Sequence, residues 1–182
     1  MTTSLNPRTA LVFGAARSGK SRFAERLALA TGLSPIYIAT AEARDGEMAA
    51  RVAAHRAARA GRGWTTIEEP LDLVALLAAH AAPHAVMLVD CLTLWLSNLM
   101  EHMRDPEAEG DALAAFVAAA PGPIVLVSNE VGAGIVPMNA LARRFQDAQG
   151  QLNQKIAAAA ASVFLVSAGQ PLRLKPQPEV SL

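Results

Sequence analysis

Short apolar runs alternate with longer segments of helical periodicity along almost the whole chain. The apolar runs predict strands at 9–13, 35–39, 64–67, 85–89, 123–127 and 163–166, with an edge strand at 172–175. The intervening segments predict helices at 20–31, 45–60, 71–82, 92–103, 106–120 and 139–161. The runs are continuously apolar, as strands covered on both faces must be. The pattern therefore predicts an α/β fold, with a mainly parallel sheet and helices on both faces.

Length and composition are consistent with one domain over residues 1–182 and a loose tail at 176–182. No linker or internal repeat divides the chain. Hydrophobic residues make up 52% of the sequence, but aromatic residues only 4%. Since much of the remainder is alanine, the composition favours helices packed closely on a sheet over an aromatic-rich β-sandwich.

Charge and cysteine content exclude several classes of protein. Sixteen basic residues balance sixteen acidic ones, which argues against an extended nucleic-acid-binding surface. The single cysteine, Cys91, excludes an intramolecular disulfide framework and a multi-cysteine metal site, and we expect a buried, inert thiol.

Residues 73–89 form the longest uncharged apolar stretch, but Pro83 interrupts it, so we interpret it as helix, turn and strand rather than a membrane span. Residues 1–7 are polar and lack a signal-peptide core, so a cytoplasmic enzyme is expected.

The first predicted strand leads directly into a G-x-x-x-x-G-K-S motif, which opens the first predicted helix. This is the pattern of a phosphate-binding loop (P-loop), and it makes the predicted fold P-loop NTPase-like. Backbone N–H groups curl around the phosphates, Lys20 reaches the terminal phosphates and the Ser21 hydroxyl coordinates Mg²⁺. The predicted nucleotide-binding residues of this loop are Gly14, Ala15, Ala16, Arg17, Ser18, Gly19, Lys20 and Ser21.

Asp90 closes a buried strand and is the expected acidic partner of the P-loop. A carboxylate at the carboxyl end of a neighbouring strand can hold Mg²⁺, or its water shell, beside Ser21. The alternative interpretation is an Asp that caps the helix starting at Leu92.

Arg51, His55 and Arg59 share one face of the predicted helix at 45–60. Flanking guanidinium groups disfavour protonation of the histidine, which leaves a ring nitrogen free to act as a nucleophile. The arginines, with Arg56, can also hold phosphates. From spacing alone the plainer interpretation is favoured, namely a solvated helix face with a structural histidine.

Residues 128–137, Ser-Asn-Glu-Val-Gly-Ala-Gly-Ile-Val-Pro, follow another buried strand. Loops at the carboxyl ends of parallel strands line the ligand crevice, so Asn129 and Glu130 are candidates for binding substrate hydroxyls or metal. Gly132 and Gly134 would let the backbone approach a ligand. A flexible connector explains the same residues equally well.

With these residues in view, the chain resembles the bifunctional adenosylcobinamide kinase and adenosylcobinamide-phosphate guanylyltransferase family of cobalamin biosynthesis. The resemblance covers nearly the whole chain, and the Glu-Val-Gly-x-Gly-Ile-Val-Pro motif is its most specific element. The matching segments are 13–22, 37–40, 47–51, 55–56, 64–68, 90–98, 128–132, 134–137 and 153–154.

The resemblance implies two reactions. A nucleoside triphosphate, ATP or GTP, first phosphorylates the aminopropanol hydroxyl of adenosylcobinamide. The enzyme then attacks the α-phosphorus of GTP, releases pyrophosphate and passes GMP from a guanylyl-histidine to adenosylcobinamide phosphate, which gives adenosylcobinamide-GDP. The family's nucleophile corresponds to His55, and Lys20 serves as the catalytic lysine of the phosphate site.

The resemblance also implies further nucleotide contacts and a homo-oligomer, expected to be a trimer. The contacts fall on Ala39, Thr40, Ala41, Arg56, Ala57, Ala58, Arg59, Glu68 and Asp90. Some relatives carry Glu at the position of Asp90, and some carry a second histidine at the position of Ala54. His55 is therefore the sole candidate nucleophile in its segment.

Two alternatives stay open at this point: a relative with one of the two activities, and a non-catalytic GTP-sensing module. For the bifunctional enzyme, one GTP pose cannot easily serve both Lys20 and His55, which lie on different elements. We therefore expect the helix at 45–60 to move, or GTP to bind differently in the two half-reactions.

Overall fold

The computed structural model describes residues 9–42 and 61–176, and its strands form a mostly parallel sheet. Along the sheet the strand order is β3-β2-β4-β5-β1-β6-β7, and only β7 runs antiparallel to its neighbour. The strands are β1 (Thr9–Gly14), β2 (Ser34–Ala39), β3 (Thr65–Glu68), β4 (Ala85–Asp90), β5 (Ile124–Asn129), β6 (Ser162–Ser167) and β7 (Gln170–Lys175). The helices are α1 (Lys20–Leu29), α2 (Leu73–His80), α3 (Leu92–Glu101), α4 (Pro106–Ala118) and α5 (Ala140–Ala159).

Two hydrophobic cores lie on opposite faces of this sheet. Successive strand residues point to alternate faces, so Leu11 belongs to one core while Val12 belongs to the other. Helix α1 covers one face, and the buried Ala24 and Ala28 allow it to pack closely on the strands. Helices α2 to α5 cover the other face around the fully buried Trp95. The predicted α/β class, with a mainly parallel sheet and helices on both faces, is confirmed.

Two strongly apolar segments have defined places in this fold. The stretch at 73–89 forms α2, a turn and most of β4, as predicted. The apolar segment from Leu92 forms a core helix, because Leu92, Trp95, Leu96 and Leu99 are all buried within the chain. No helix in the described ranges has both the length and the apolar character to cross a membrane.

The predicted helix at 45–60 lies outside the described residues, as do residues 1–8 and all of the predicted tail except Pro176. That helix includes Arg51, His55, Arg56, Ala57, Ala58 and Arg59.

Candidate functional site

The predicted site residues of five strands meet at the carboxyl edge of the sheet. Ala39 pairs with Glu68 of β3 on one side and with Asp90 of β4 on the other. Gly14, the last residue of β1, pairs with Asn129 of β5. Because parallel strands end at the same edge, these residues form a single row, which is where ligands bind in open α/β sheets.

The P-loop joins β1 to α1 at one end of this row. Arg17 has a φ of 58° and Gly19 a φ of 92°, so the loop reverses through two left-handed residues. Helix α1 then begins at Lys20, with no side-chain cap and no acidic residue in its first turn. Its free N–H groups and positive dipole end therefore favour an anion at this position.

Of the three polar side chains of the loop that precede Ser21, Ser18 and Lys20 are buried and Arg17 is exposed. Lys20 is 9% exposed, and its Nζ donates to the carbonyl oxygen of Ala15 at 3.2 Å. Ser18 is 7% exposed, and its Oγ has no hydrogen-bond partner within the described ranges. A buried hydroxyl without a partner is costly unless a ligand satisfies it, so the loop has the features of a preformed anion site.

The turn between β6 and β7 forms one wall of the P-loop. The N–H of Gly169 donates to the carbonyl oxygen of Ser18 at 2.8 Å. A Cβ on Gly19 would lie 3.1 Å from the Cα of Gly169, and one on Gly14 would overlap the carbonyl oxygen of Val166. Both glycines are therefore required by the close approach of two backbones.

Asp90 ends β4, two strands away from the P-loop strand. Its Oδ2 accepts a hydrogen bond from the Tyr37 hydroxyl at 3.0 Å. Helix α3 has Cys91 at its N-cap position, and no side chain caps it. The interpretation of Asp90 as a helix cap is therefore wrong, since the carboxylate bonds across strands instead.

Thr40 connects the ends of β2 and β4. Its Oγ1 donates to the carbonyl oxygen of Cys91 at 2.7 Å and accepts from the Cys91 N–H at 2.9 Å. Asn98 Nδ2 donates to the carbonyl oxygen of Thr40 at 2.8 Å, and Thr40 is fully buried. Thr40 thus holds Ala39 and Ala41 in place beside Asp90.

The thiol of Cys91 is buried beside this contact. Burial, followed by the negative charge of Asp90, raises the pKa of Cys91 to about 11. The thiol therefore stays protonated near neutral pH, and the predicted buried, inert cysteine is confirmed.

A buried polar cluster from α5 holds the end of β5. Ser128 Oγ donates to Asn153 Oδ1 at 2.6 Å, and Gln149 Nε2 donates to both of those oxygens. Asn153 Nδ2 donates to the carbonyl oxygen of Asn129 at 3.0 Å. The next residue, Glu130, donates its N–H to the carbonyl oxygen of Gly14 at 3.1 Å, so the loop after β5 starts in direct contact with the P-loop.

Several positioning residues are not identified by sequence reasoning. Tyr37, Asn98, Asn153 and Gly169 each bond to a predicted site residue or to its neighbour. Asn98 had a visible signal, since it is a polar residue within a strongly apolar helix. Gln149 and Asn153 also had one, because residues four apart share a helix face. Gly169 had none.

The chain matches a protein family and several curated relatives over most of its length. The model of the CobU family, described as cobinamide kinase / cobinamide phosphate guanyltransferase, matches residues 10–174. The bifunctional adenosylcobalamin biosynthesis protein CobP of Pseudomonas aeruginosa is 49% identical over 92% of this chain and 98% of its own. The corresponding CobU protein of Escherichia coli is 41% identical over 91% of this chain and 98% of its own.

Solved structures with a similar fold are far more distant in sequence. The RadB recombinase superposes with a TM-score of 0.51 at 14% identity, over 86% of this chain and 73% of that one. The ATP synthase subunit NeqB of Nanoarcheaum equitans gives a TM-score of 0.50 at 14% identity, over 89% of this chain and 46% of that one. These likenesses show the fold alone. By the family match and the curated relatives, the chain belongs to the cobinamide kinase / cobinamide phosphate guanyltransferase family.

Proposed function

We propose that this protein catalyses both reactions of its family at the carboxyl edge of its sheet. In the first, ATP or GTP phosphorylates adenosylcobinamide. In the second, GMP passes from GTP to adenosylcobinamide phosphate, which gives adenosylcobinamide-GDP and pyrophosphate. The observation that carries the proposal is the P-loop, in which a buried Lys20 and an unpartnered Ser18 hydroxyl lie at the N-terminus of α1 in a chain of this family.

In the kinase step the loop binds the triphosphate and Lys20 offsets the negative charge that builds on the transferred phosphoryl group. The backbone N–H groups of residues 14–21 hold the phosphates, and the Ser18 hydroxyl finds its missing partner in a phosphate oxygen. The acceptor hydroxyl of the corrinoid attacks the terminal phosphorus and gives up its proton to solvent. The P–O bond to the nucleoside diphosphate breaks as the new bond forms.

Ser21 and Asp90 are the residues that would hold Mg²⁺. Among the described residues, no group of three or more acidic, histidine or cysteine side chains is placed to hold a metal ion with protein ligands alone. This fits Mg²⁺, which is usually held by one or two protein oxygens together with substrate phosphates. When bound, the ion would neutralise negative charge on the phosphates. Tyr37 holds the Asp90 carboxylate in a fixed orientation for this role.

His55 is the proposed nucleophile of the guanylyl transfer, with Arg56 to Arg59 as phosphate contacts. A ring nitrogen of His55 attacks the α-phosphorus of GTP, and the bond to pyrophosphate breaks. A phosphate oxygen of adenosylcobinamide phosphate then attacks the same phosphorus, and the N–P bond breaks to restore the imidazole. Support comes from the family resemblance and from chain direction, since the segment with His55 follows the carboxyl end of β2, beside Asp90.

The spacing of the sheet supports two nucleotide positions. The end of β2 lies three interstrand spacings, or about 14 Å, from the P-loop strand, and Glu68 on β3 lies about 19 Å from it. We therefore propose that GTP shifts along this edge between half-reactions, or that the segment with His55 moves. Structures with nucleotide analogues for each half-reaction test this proposal. An unchanged GTP pose with the segment unmoved would exclude it.

Labelling with GTP tests the function directly. Incubation with α-labelled GTP should leave an acid-labile label on the wild-type protein, and His55→Ala should abolish it. His84→Ala, which removes an exposed histidine from the turn before β4, is the matched control and should keep the label. Label that persists in His55→Ala would disprove the histidine assignment. Separate assays of phosphoryl transfer and GMP transfer then establish whether one chain carries both activities.

We also propose a homo-trimer working in the cytoplasm, where GTP and ATP are supplied. The family resemblance supports this assembly. Sedimentation equilibrium measures its mass, and a monomer at micromolar concentration would contradict it.

A further inference from the structure

The loop after β5 exposes an unusual amount of apolar surface. We define the apolar loop as residues 131–142, which comprise the connection after β5 and the first three residues of α5 and contain no charged side chain. Seven large apolar side chains are exposed among the described residues, and four of them belong to this loop. They are Ile135 (97% exposed), Val136 (70%), Met138 (99%) and Leu141 (61%). Scattered exposed apolar residues need no explanation, but a cluster of four indicates a binding surface.

The apolar loop is anchored at both ends rather than loosely attached. Gln146 Nε2 donates to the carbonyl oxygen of Val131, and Arg143 Nη1 donates to those of Pro137 and Met138. Asn139 Oδ1 accepts from the N–H groups of residues 141 and 142 and so caps α5. A surface held in this way loses less conformational entropy when it binds a ligand.

The loop is also continuous with the phosphate site. Its preceding residue, Glu130, bonds to the carbonyl oxygen of Gly14, the first residue of the P-loop. Ile135 and Met138 follow Glu130 by five and eight residues, so they lie at most about 18 and 29 Å from it. A large ligand that contacts them can therefore extend to the phosphate site. Four side chains of one loop are too few for a protein interface of standard size, which takes about 20–30 residues a side. The four side chains are enough to cover one face of a bulky, non-protein ligand.

We propose that the apolar loop binds the corrinoid substrate, with Ile135 and Met138 packed against the methyl- and amide-bearing rim of the macrocycle. This inference rests on the proposed function and assigns the corrinoid contact that it leaves open. An uncharged surface suits an uncharged rim, whereas a charged one would have to be desolvated on binding. The proposed contact requires the aminopropanol hydroxyl to face the P-loop.

Kinetics on Ile135→Ser and Met138→Ser test the inference. Both side chains are almost fully exposed, so the substitutions should not disturb folding. We expect the KM for adenosylcobinamide in the kinase assay to rise about tenfold in each variant, while the KM for the nucleotide stays within about twofold. The guanylyl label from GTP should persist, because that half-reaction does not involve the corrinoid.

Met103→Ser provides the matched control. Met103 is 93% exposed, but it lies on the β2 side of the edge, where the neighbouring His102 contacts Glu42 at 3.2 Å, whereas the apolar loop follows β5. The proposal is overturned if the KM for adenosylcobinamide in Ile135→Ser and Met138→Ser equals the KM in Met103→Ser. Loss of oligomer mass on sedimentation, together with loss of the label, would overturn it too and indicate a contact with a second copy of the chain. A wild-type protein inactive in both assays would instead refute the proposed function, since no corrinoid reaction would then exist.

Discussion

The two ends of the carboxyl edge are built by different means. At the phosphate end, around β1 and β6, the P-loop and the turn of Gly169 approach each other through backbone atoms, and two glycines make room for the contact. At the acidic end, around β2 and β4, Thr40, Tyr37 and Asn98 join the strands through side-chain hydrogen bonds. One end therefore depends on the absence of side chains and the other on particular polar groups.

This difference suggests how each end tolerates change. A backbone contact is lost when any Cβ enters it, whatever the chemistry of the new residue. A side-chain contact is lost only when its polar atom is removed, and a substitution of similar shape leaves the packing intact. Substitutions at the two ends should therefore differ in size and in the property that they alter.

Gly14→Ala should have the largest effect. The new Cβ would overlap the carbonyl oxygen of Val166, so β1 or β6 must shift. We expect the free energy of unfolding to fall by about 3 kcal/mol and nucleotide affinity to fall at least tenfold. Urea denaturation and calorimetric titration with a nucleotide measure the two losses.

Gly150→Ala is the control for that experiment. A Cβ on Gly150, within α5, meets nothing within 4 Å, so alanine should stabilise the helix by about 0.5–1 kcal/mol. Equal stability of the two variants would contradict the idea that the phosphate end depends on close backbone contact.

Thr40→Val should have an intermediate effect on stability. Valine keeps the volume of the side chain but removes the oxygen that bonds to the N–H and carbonyl of Cys91, both of which lie in the interior. We expect a loss of about 2 kcal/mol in the free energy of unfolding. Thr65→Val on the exposed side of β3 is the control and should change stability little. If both variants unfold at the same urea concentration, the acidic end does not depend on this contact.

Tyr37→Phe should have the smallest effect on stability, about 1 kcal/mol, because the ring keeps its edge-to-face contact with Trp64. Its functional effect should be specific to the metal. Without the phenol donor the Asp90 carboxylate is held less firmly, and we expect the Mg²⁺ concentration for half-maximal kinase activity to rise about fivefold. If the Mg²⁺ dependence of kinase activity is unchanged, Asp90 does not hold the metal ion.

The strand and helix pattern was predictable because each element is specified by its own residues. The runs at 9–13 and 85–89 are apolar at every position or nearly so, and the structure contains strands at both within one or two residues. The P-loop was predictable for the same reason, since its glycines, Lys20 and Ser21 are contiguous in sequence. Strand order was not, because it depends on contacts between segments far apart along the chain.

The sequence by itself determined the fold class, the phosphate-binding loop and, through family resemblance, the two expected reactions. Tertiary structure alone decided that Glu68, Ala39, Asp90 and Gly14 lie in one row, and that Gly169 supports the P-loop. It also decided that Asp90 bonds to Tyr37 instead of capping a helix. The physical reason is that local periodicity and motif chemistry act over a few residues, whereas strand pairing and backbone approach here join residues from 29 to 151 positions apart.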